Sequence, residues 1–161
     1  MSVSIEPETS KSAGPAVVND FVVKFANVNG SGSASANGMF AKSILRMGVP
    51  VAARNIFPSN IQGLPTWFEV RITEAGRLGR RGGVDLMVAM NPQTWDRDIA
   101  EIEAGGFLFY DSTKPLPPSK FRDDITVLGV PLTAMCNEKY QLPRERQLFK
   151  NIVYVGALAA L

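Results

Sequence analysis

The feature that most constrains this chain is the run Asn27-Val28-Asn29-Gly30-Ser31-Gly32-Ser33-Ala34-Ser35-Ala36-Asn37. It follows an apolar, β-prone segment, Phe21-Val22-Val23-Lys24-Phe25-Ala26. After it, Met39, Phe40, Ile44, Leu45 and Met47 recur at the spacing of an amphipathic helix, with Gly48 as its stop. Strand, small-residue loop, helix is an order that leaves free backbone N–H groups at a helix N-terminus. Such a place attracts an anion, most often a phosphate. Gly30 and Gly32 permit a tight turn and close approach of a ligand. Ser31, Ser33 and Ser35 add hydroxyl donors and are suited to capping the helix. The same composition also serves a loop shaped only for tight packing, and the loop alone does not choose between the two roles.

Standard nucleotide loops are not present. A dinucleotide fingerprint would need glycine where this chain has Ser35, and an acid about 20 residues further on for the ribose. No Asp or Glu occurs between Asp20 and Glu69. A Walker loop would end in Gly-Lys-Ser/Thr, which is absent. NAD binding is disfavoured and P-loop ATP hydrolysis is excluded. In the stretch from Asn29 to Phe68 the charged residues are Lys42, Arg46 and Arg54, all positive. A phosphate-accepting loop would benefit from that field, although each side chain singly reads as part of a solvated face.

At 161 residues, with 45% hydrophobic and 20% charged residues, the chain reads as one globular domain. A net charge of +2 implies no general affinity for nucleic acid. One cysteine, Cys136, and no histidine exclude Ser-His-Asp and Cys-His nucleophilic sites, thiolate zinc sites and cysteine-ligated clusters within this chain. Cys136 reads as a small buried hydrophobe, and a single cysteine suits a reducing cytoplasm. Residues 1–18 are rich in Ser, Pro, Glu and Thr, lack a signal-peptide core and read as a flexible lead-in. The apolar stretch from Val153 to Leu161 is too short to span a bilayer, so no membrane role is expected.

Further strands are expected at 49–56, 66–73, 85–90, 107–110 and 125–130. Helices are expected from Gln93 to Glu103, capped by Asn91-Pro92 and stopped by Gly105-Gly106, and from Arg146 to Leu161, apolar on most sides. The loop Phe57-Pro58-Ser59-Asn60-Ile61-Gln62-Gly63-Leu64-Pro65 is uncharged and partly apolar, so it tucks inward or meets a partner. Arg77, Arg80 and Arg81 read as an exposed turn. Asp111-Ser112-Thr113 ends a buried strand at the edge where open α/β sheets bind ligands. Alternating strands and helices with continuous apolar strands favour an α/β fold, a mostly parallel sheet with helices on both faces. The strand at 66–73 follows its neighbour with no helix between them, which allows one antiparallel strand.

Four runs together resemble a known family. They are Ala26 to Asn37, Phe57 to Trp67, Asp85-Leu86-Met87-Val88-Ala89-Met90-Asn91-Pro92-Gln93-Thr94 and Gly105-Gly106-Phe107-Leu108-Phe109-Tyr110-Asp111-Ser112. In this order they resemble the N-terminal gamma-type domain of the fused alpha subunit of 2-oxoacid:ferredoxin oxidoreductases, most closely the 2-oxoglutarate enzymes. The resemblance covers about Asp20 to Leu161 and implies a Rossmann-like domain over residues 19–161. It implies part of a cytoplasmic complex that oxidatively decarboxylates a 2-oxoacid to its acyl-CoA and reduces ferredoxin. That complex would use thiamine diphosphate, Mg2+ and iron–sulfur clusters held by the remaining alpha-type and beta-type subunits. Coenzyme A would be a co-substrate, and the candidate contacts to it are Gly30, Ser31, Gly32, Ser33, Ser35 and Asn37.

The chain departs from the family pattern twice. The usual Gly-x-Gly-Gly-x-Gly is Gly30-Ser31-Gly32-Ser33-Ala34-Ser35, and a common Arg-Gly-Gly is Gln62-Gly63-Leu64. The family's alpha subunit is several times longer, so this chain reads as a fragment, a processed piece or a split-gene subunit, inactive alone. The competing reading is a non-catalytic interaction subunit whose loop only packs against a partner.

Overall fold

The structure, a computed structural model, describes residues 19–58 and 61–161. The expected flexible lead-in at 1–18, and Ser59 and Asn60 of the uncharged loop, lie outside the described residues. The strands are β1 (Asp20–Val28), β2 (Val51–Ile56), β3 (Pro65–Thr73), β4 (Val84–Ala89), β5 (Ile102–Asp111) and β6 (Thr126–Val130). They form one sheet in the order β2-β3-β1-β4-β5-β6. β1, β4, β5 and β6 pair in parallel, whereas β3 is antiparallel to both β1 and β2. Among the described residues, β3 therefore runs against every other strand. The expected α/β fold with one opposed strand is what forms.

The pleat sorts side chains between two cores. Val23 and Phe25 of β1, Val70 and Ile72 of β3, Val88 and Phe109 share one face with three helices. These are α1 (Ser33–Arg46), α3 (Leu132–Lys139) and α4 (Pro143–Leu158). Phe25 anchors this side, its ring centroid 5.4 Å from Phe40, 6.3 Å from Phe68 and 6.1 Å from Tyr154. Ala26, Trp67, Met87, Ala89, Leu108 and Tyr110 face the other way. They pack under Trp95 and Ile99 of α2 (Trp95–Ala100) and under Leu116. Both faces are covered, which is why β1 and β4 read as nearly continuous apolar runs.

The second face also buries charge. Lys24 is 4% exposed and forms an ion pair with Glu101, while Trp67 lies beneath Arg97 at 4.4 Å from the ring centroid. Asp98 is wholly buried and accepts hydrogen bonds from Trp67 Nε1 at 2.8 Å and Thr94 Oγ1 at 2.5 Å. Burial pushes its carboxyl up against the opposing hydrogen bonds.

Several expected elements are revised. In α1 the inward stripe is Ala36, Asn37 and Ala41 with Phe40 and Ile44 beside it, whereas Met39, Leu45 and Met47 are exposed. At 100° per residue a helix brings 36, 37, 40, 41 and 44 onto one face and turns the other three away. Asn91 does cap as expected, its side chain accepting from Gln93 N at 3.1 Å. What it caps is a 3-10 turn, Pro92–Thr94, followed by a helix that ends at Ala100 rather than Glu103. Gly105-Gly106 stops no helix. It lies inside β5, where the register against β4 shifts between Val84 and Leu86. Gly105 takes a φ of 81° at this irregularity, a conformation an ordinary strand residue resists. α3 was not expected. α4 begins at Pro143, three residues before the expected start, and ends at Leu158. Its apolar sides do not make it packed on two faces as that pattern would suggest: Asn151, Tyr154 and Leu158 form one buried stripe, while Leu148 and Ile152 are exposed.

Candidate functional site

The parallel strands β1, β4, β5 and β6 end on one edge of the sheet, and the small-residue loop sits there between β1 and α1. Its shape is set by glycine. Gly30 and Gly32 have φ of 82° and 76°, left-handed values that L side chains resist. A Cβ on Gly30 would also lie 2.6 Å from Gln62 Cγ, so the neighbouring loop closes directly over this position. Backbone bonds lock the two loops together: Asn29 N donates to Leu64 O at 2.8 Å and Gly63 N to Asn29 O at 2.9 Å.

Gly32 is the N-cap of α1, and among the described residues no side chain caps the helix. The expected serine cap is therefore absent. Ser31 Oγ instead pairs with Ser33 Oγ at 3.0 Å, and the first N–H groups of a 14-residue helix are left without a side-chain acceptor. Ser33 and Asn37 are buried and Ser35 is exposed. Asn37 Oδ1 accepts from the Tyr154 hydroxyl at 2.7 Å, and burial pushes that hydroxyl's pKa up. Ser31 O accepts from Asn151 Nδ2 at 2.9 Å, which ties α4 to the loop across the sheet edge.

Two clefts flank the loop and share Asn27, Asn29 and Gly30. The first has a volume of about 370 Å³ and runs over Asn37, Asn55, Phe57, Trp67 and Phe68. Among the described residues no charged one lines it. The second has a volume of about 350 Å³ and runs over Gln62, Gln147, Lys150 and Asn151. Of the six candidate residues, Gly30, Gly32, Ser33 and Asn37 line the first cleft and Gly30 and Ser31 the second. Ser35 lines neither, because the helix turns its side chain outward. Asn27, 4% exposed, lines both clefts. It lies beside the Tyr154 hydroxyl, yet among the described residues its Nδ2 meets no acceptor in hydrogen-bond geometry.

The cations expected to serve the loop do not. Arg54 pairs with Glu69 at 2.5 Å on β3. Arg46 closes α1, about 20 Å from its first residue at 1.5 Å per residue. Neither these two nor Lys42 lines a cleft. The cation at the loop is Lys150 of α4, whose Nζ lies 3.4 Å from Thr133 Oγ1 and 4.0 Å from Asp111 Oδ2. Asp111 reaches the strand-end crevice as expected and anchors α3 there. It accepts from Thr133 N at 3.2 Å, from Thr113 N at 3.1 Å and from the Thr133 hydroxyl. Burial pushes its carboxyl up, but those hydrogen bonds outweigh burial and hold it below its ordinary value. Lys150, Gln147 and Asn151 carry no sequence signal that joins them to the loop. Their i, i+3, i+4 spacing on one helix would have grouped them with each other only.

Among the described residues no cluster of His, Cys, Asp or Glu is placed to hold a metal ion, and one cysteine cannot ligate an iron–sulfur cluster. Cys136 is buried, and burial pushes its thiol up, away from the reactive thiolate. Among the described residues no helix is long and apolar enough to cross a membrane.

Solved structures share this fold. A 2-oxoglutarate:ferredoxin oxidoreductase from Magnetococcus marinus, solved with 2-oxoglutarate, coenzyme A and succinyl-CoA bound, superposes with a TM-score of 0.75 at 23% identity. The match covers 88% of this chain and 24% of that one, so this chain spans about a quarter of that protein's length. The pyruvate oxidoreductase subunit PORC from Thermotoga maritima superposes with a TM-score of 0.67 at 20% identity, over 88% of this chain and 75% of that one. The gamma subunit of a keto/oxoacid ferredoxin oxidoreductase from Geobacter sulfurreducens gives 0.68 at 21% identity, over 88% and 76%. No curated protein sequence matches the chain. The family model for pyruvate ferredoxin/flavodoxin oxidoreductase matches residues 22–161, from the first buried residues of β1 to the last residue. The chain belongs to the pyruvate ferredoxin/flavodoxin oxidoreductase family, and its fold is the gamma-type one.

Proposed function

We propose that this chain is the gamma-type component of a cytoplasmic 2-oxoacid:ferredoxin oxidoreductase. The complex oxidatively decarboxylates a 2-oxoacid, with 2-oxoglutarate the leading substrate, to its acyl-CoA and reduces ferredoxin. This component contributes the coenzyme A side of the active site. Family membership across residues 22–161 carries the proposal. Supporting it, the uncapped N-terminus of α1 lies between two clefts at the strand-end edge, where open α/β sheets bind ligands. Thiamine diphosphate, Mg2+ and the iron–sulfur clusters are assigned to the remaining alpha-type and beta-type subunits or domains, in keeping with a single cysteine and no histidine in this chain.

A non-catalytic role is the second reading, favoured by the tight fit of Gln62 over Gly30 and of Asn151 on Ser31. Gly32→Val in the assembled complex separates the two. A Cβ at 32 meets Asn151 Nδ2 at 3.6 Å and Leu148 Cδ1 at 3.9 Å, ordinary contacts, so the Cβ itself brings no clash and the valine methyls reach toward those two side chains. The left-handed φ costs about 1–2 kcal/mol, which a melting curve measures alongside. The expected result is a folded complex with a raised KM for coenzyme A. A folded complex with an unchanged KM leaves the packing role standing.

A further inference from the structure

The two clefts differ in charge, and that difference gives an extended ligand a direction. In the first cleft the polar groups are neutral amides and hydroxyls, beside Phe57, Trp67 and Phe68. In the second, Lys150 is the one charged residue of the lining among the described residues, next to Gln62, Gln147 and Asn151. Between them lie Gly30, which exposes backbone, and buried Asn27, whose Nδ2 has no acceptor in hydrogen-bond geometry among the described residues. A buried amide donor without an acceptor is unfavourable, and a ligand oxygen at this junction would satisfy it. Asp111 does not neutralise Lys150 outright. Its oxygens already accept from Thr133 and Thr113, and it stands 4.0 Å from Nζ, the outer limit of an ion pair.

Resting on the coenzyme A reading above, we infer that Lys150 fixes the polarity of binding. The phosphate-bearing end lies in the second cleft against Lys150 and the N–H groups of the loop. The neutral, amide-bearing thiol arm crosses Asn27 and enters the first cleft over Trp67. Charge-assisted hydrogen bonds from Lys150 supply what the helix end alone cannot. Asn27 offers its Nδ2 to a carbonyl of the arm.

Steady-state kinetics of the assembled complex, with coenzyme A or phosphate-free pantetheine as acyl acceptor, test this. Lys150 is partly solvated, so Lys150→Gln is expected to fold, and melting curves verify it. The variant should raise KM for coenzyme A about tenfold and leave that for pantetheine within about twofold. Lys150→Arg, which keeps the charge, should hold KM for coenzyme A close to the parent value. Asn55→Leu in the first cleft should raise KM for both acceptors. If Lys150→Gln leaves coenzyme A unaffected, or weakens both acceptors equally, while Asn55→Leu still weakens both, the polarity is refuted and the coenzyme A site survives. If neither variant moves either KM, the site itself is refuted and the polarity falls with it.

Discussion

Tyr154→Phe is the sharpest test of how α4 holds the loop helix. Tyr154 is wholly buried and Asn37 is 2% exposed, and the hydroxyl donates to Asn37 Oδ1 at 2.7 Å. Phenylalanine keeps the ring, so packing against Phe25 at 6.1 Å survives and no cavity larger than a hydroxyl opens. What is lost is one buried hydrogen bond, and Asn37 is left with an unpaired acceptor at a cost of about 1–3 kcal/mol. In a domain of this size, 1 kcal/mol lowers Tm by about 2–4 °C. The expected fall is therefore roughly 2–12 °C. Asn37→Leu should cost a similar amount, because it orphans the hydroxyl instead. The double variant removes both groups, so neither is left stranded. It should be less destabilised than the sum of the singles by about 1–2 kcal/mol. Urea unfolding of the four proteins measures the cycle. A double variant whose cost equals the sum within about 0.5 kcal/mol would refute the reasoning, because the two groups would then be energetically independent.

The isolated chain should show no 2-oxoacid-dependent reduction of ferredoxin, and adding the remaining subunits should restore it; turnover of 2-oxoglutarate by the chain alone would sink the proposed division of labour. Phe57 and Leu64 are exposed beside the first cleft, and we expect their loop to be covered by another subunit. Hydrogen exchange on complex against free chain should show protection across Phe57–Pro65, and equal exchange in both would count against it. Burial raises Asp98 above its ordinary value of 3.8, so the folded state binds the proton more tightly. Stability due to this group is highest below 3.8, declines as pH rises through the raised value, and its cost is fully present above that. Asp98→Asn should remove the decline, so that variant-minus-parent Tm grows with pH; a flat difference would overturn the assignment. Glu101 behaves oppositely: burial raises it, but the hydrogen bond from Lys24 and its charge prevail and hold it low. Its stabilisation is present above its ordinary value of 4.5 and lost as pH falls through the lowered one, which Glu101→Gln should abolish in acid titrations.

The sequence by itself determined the α/β class, the succession of the strands and the family, and it allowed for an opposed strand at 66–73. Those properties rest on local patterns: apolar runs for strands buried on both faces, glycines where the backbone turns left-handed, a cap at Asn91, and four family runs in order. Short or weakly patterned elements escaped. α3 buries only Leu132 and Cys136, too little to impose a period, and Gly105-Gly106 reads alike as a helix stop or a strand irregularity. At the candidate site the loop was legible and its surroundings were not. The cations nearest in sequence, Lys42, Arg46 and Arg54, are carried away by the length of α1 or taken up by Glu69. Lys150 and Asn151 arrive from about 120 residues along the chain, as the Asn151–Ser31 hydrogen bond shows. Which charge reaches the loop, and which buried amide is left unpaired, depend on how α4 lies across the sheet edge. That placement comes from packing Tyr154 and Leu158 against β1 and α1, a long-range contact that no local spacing encodes.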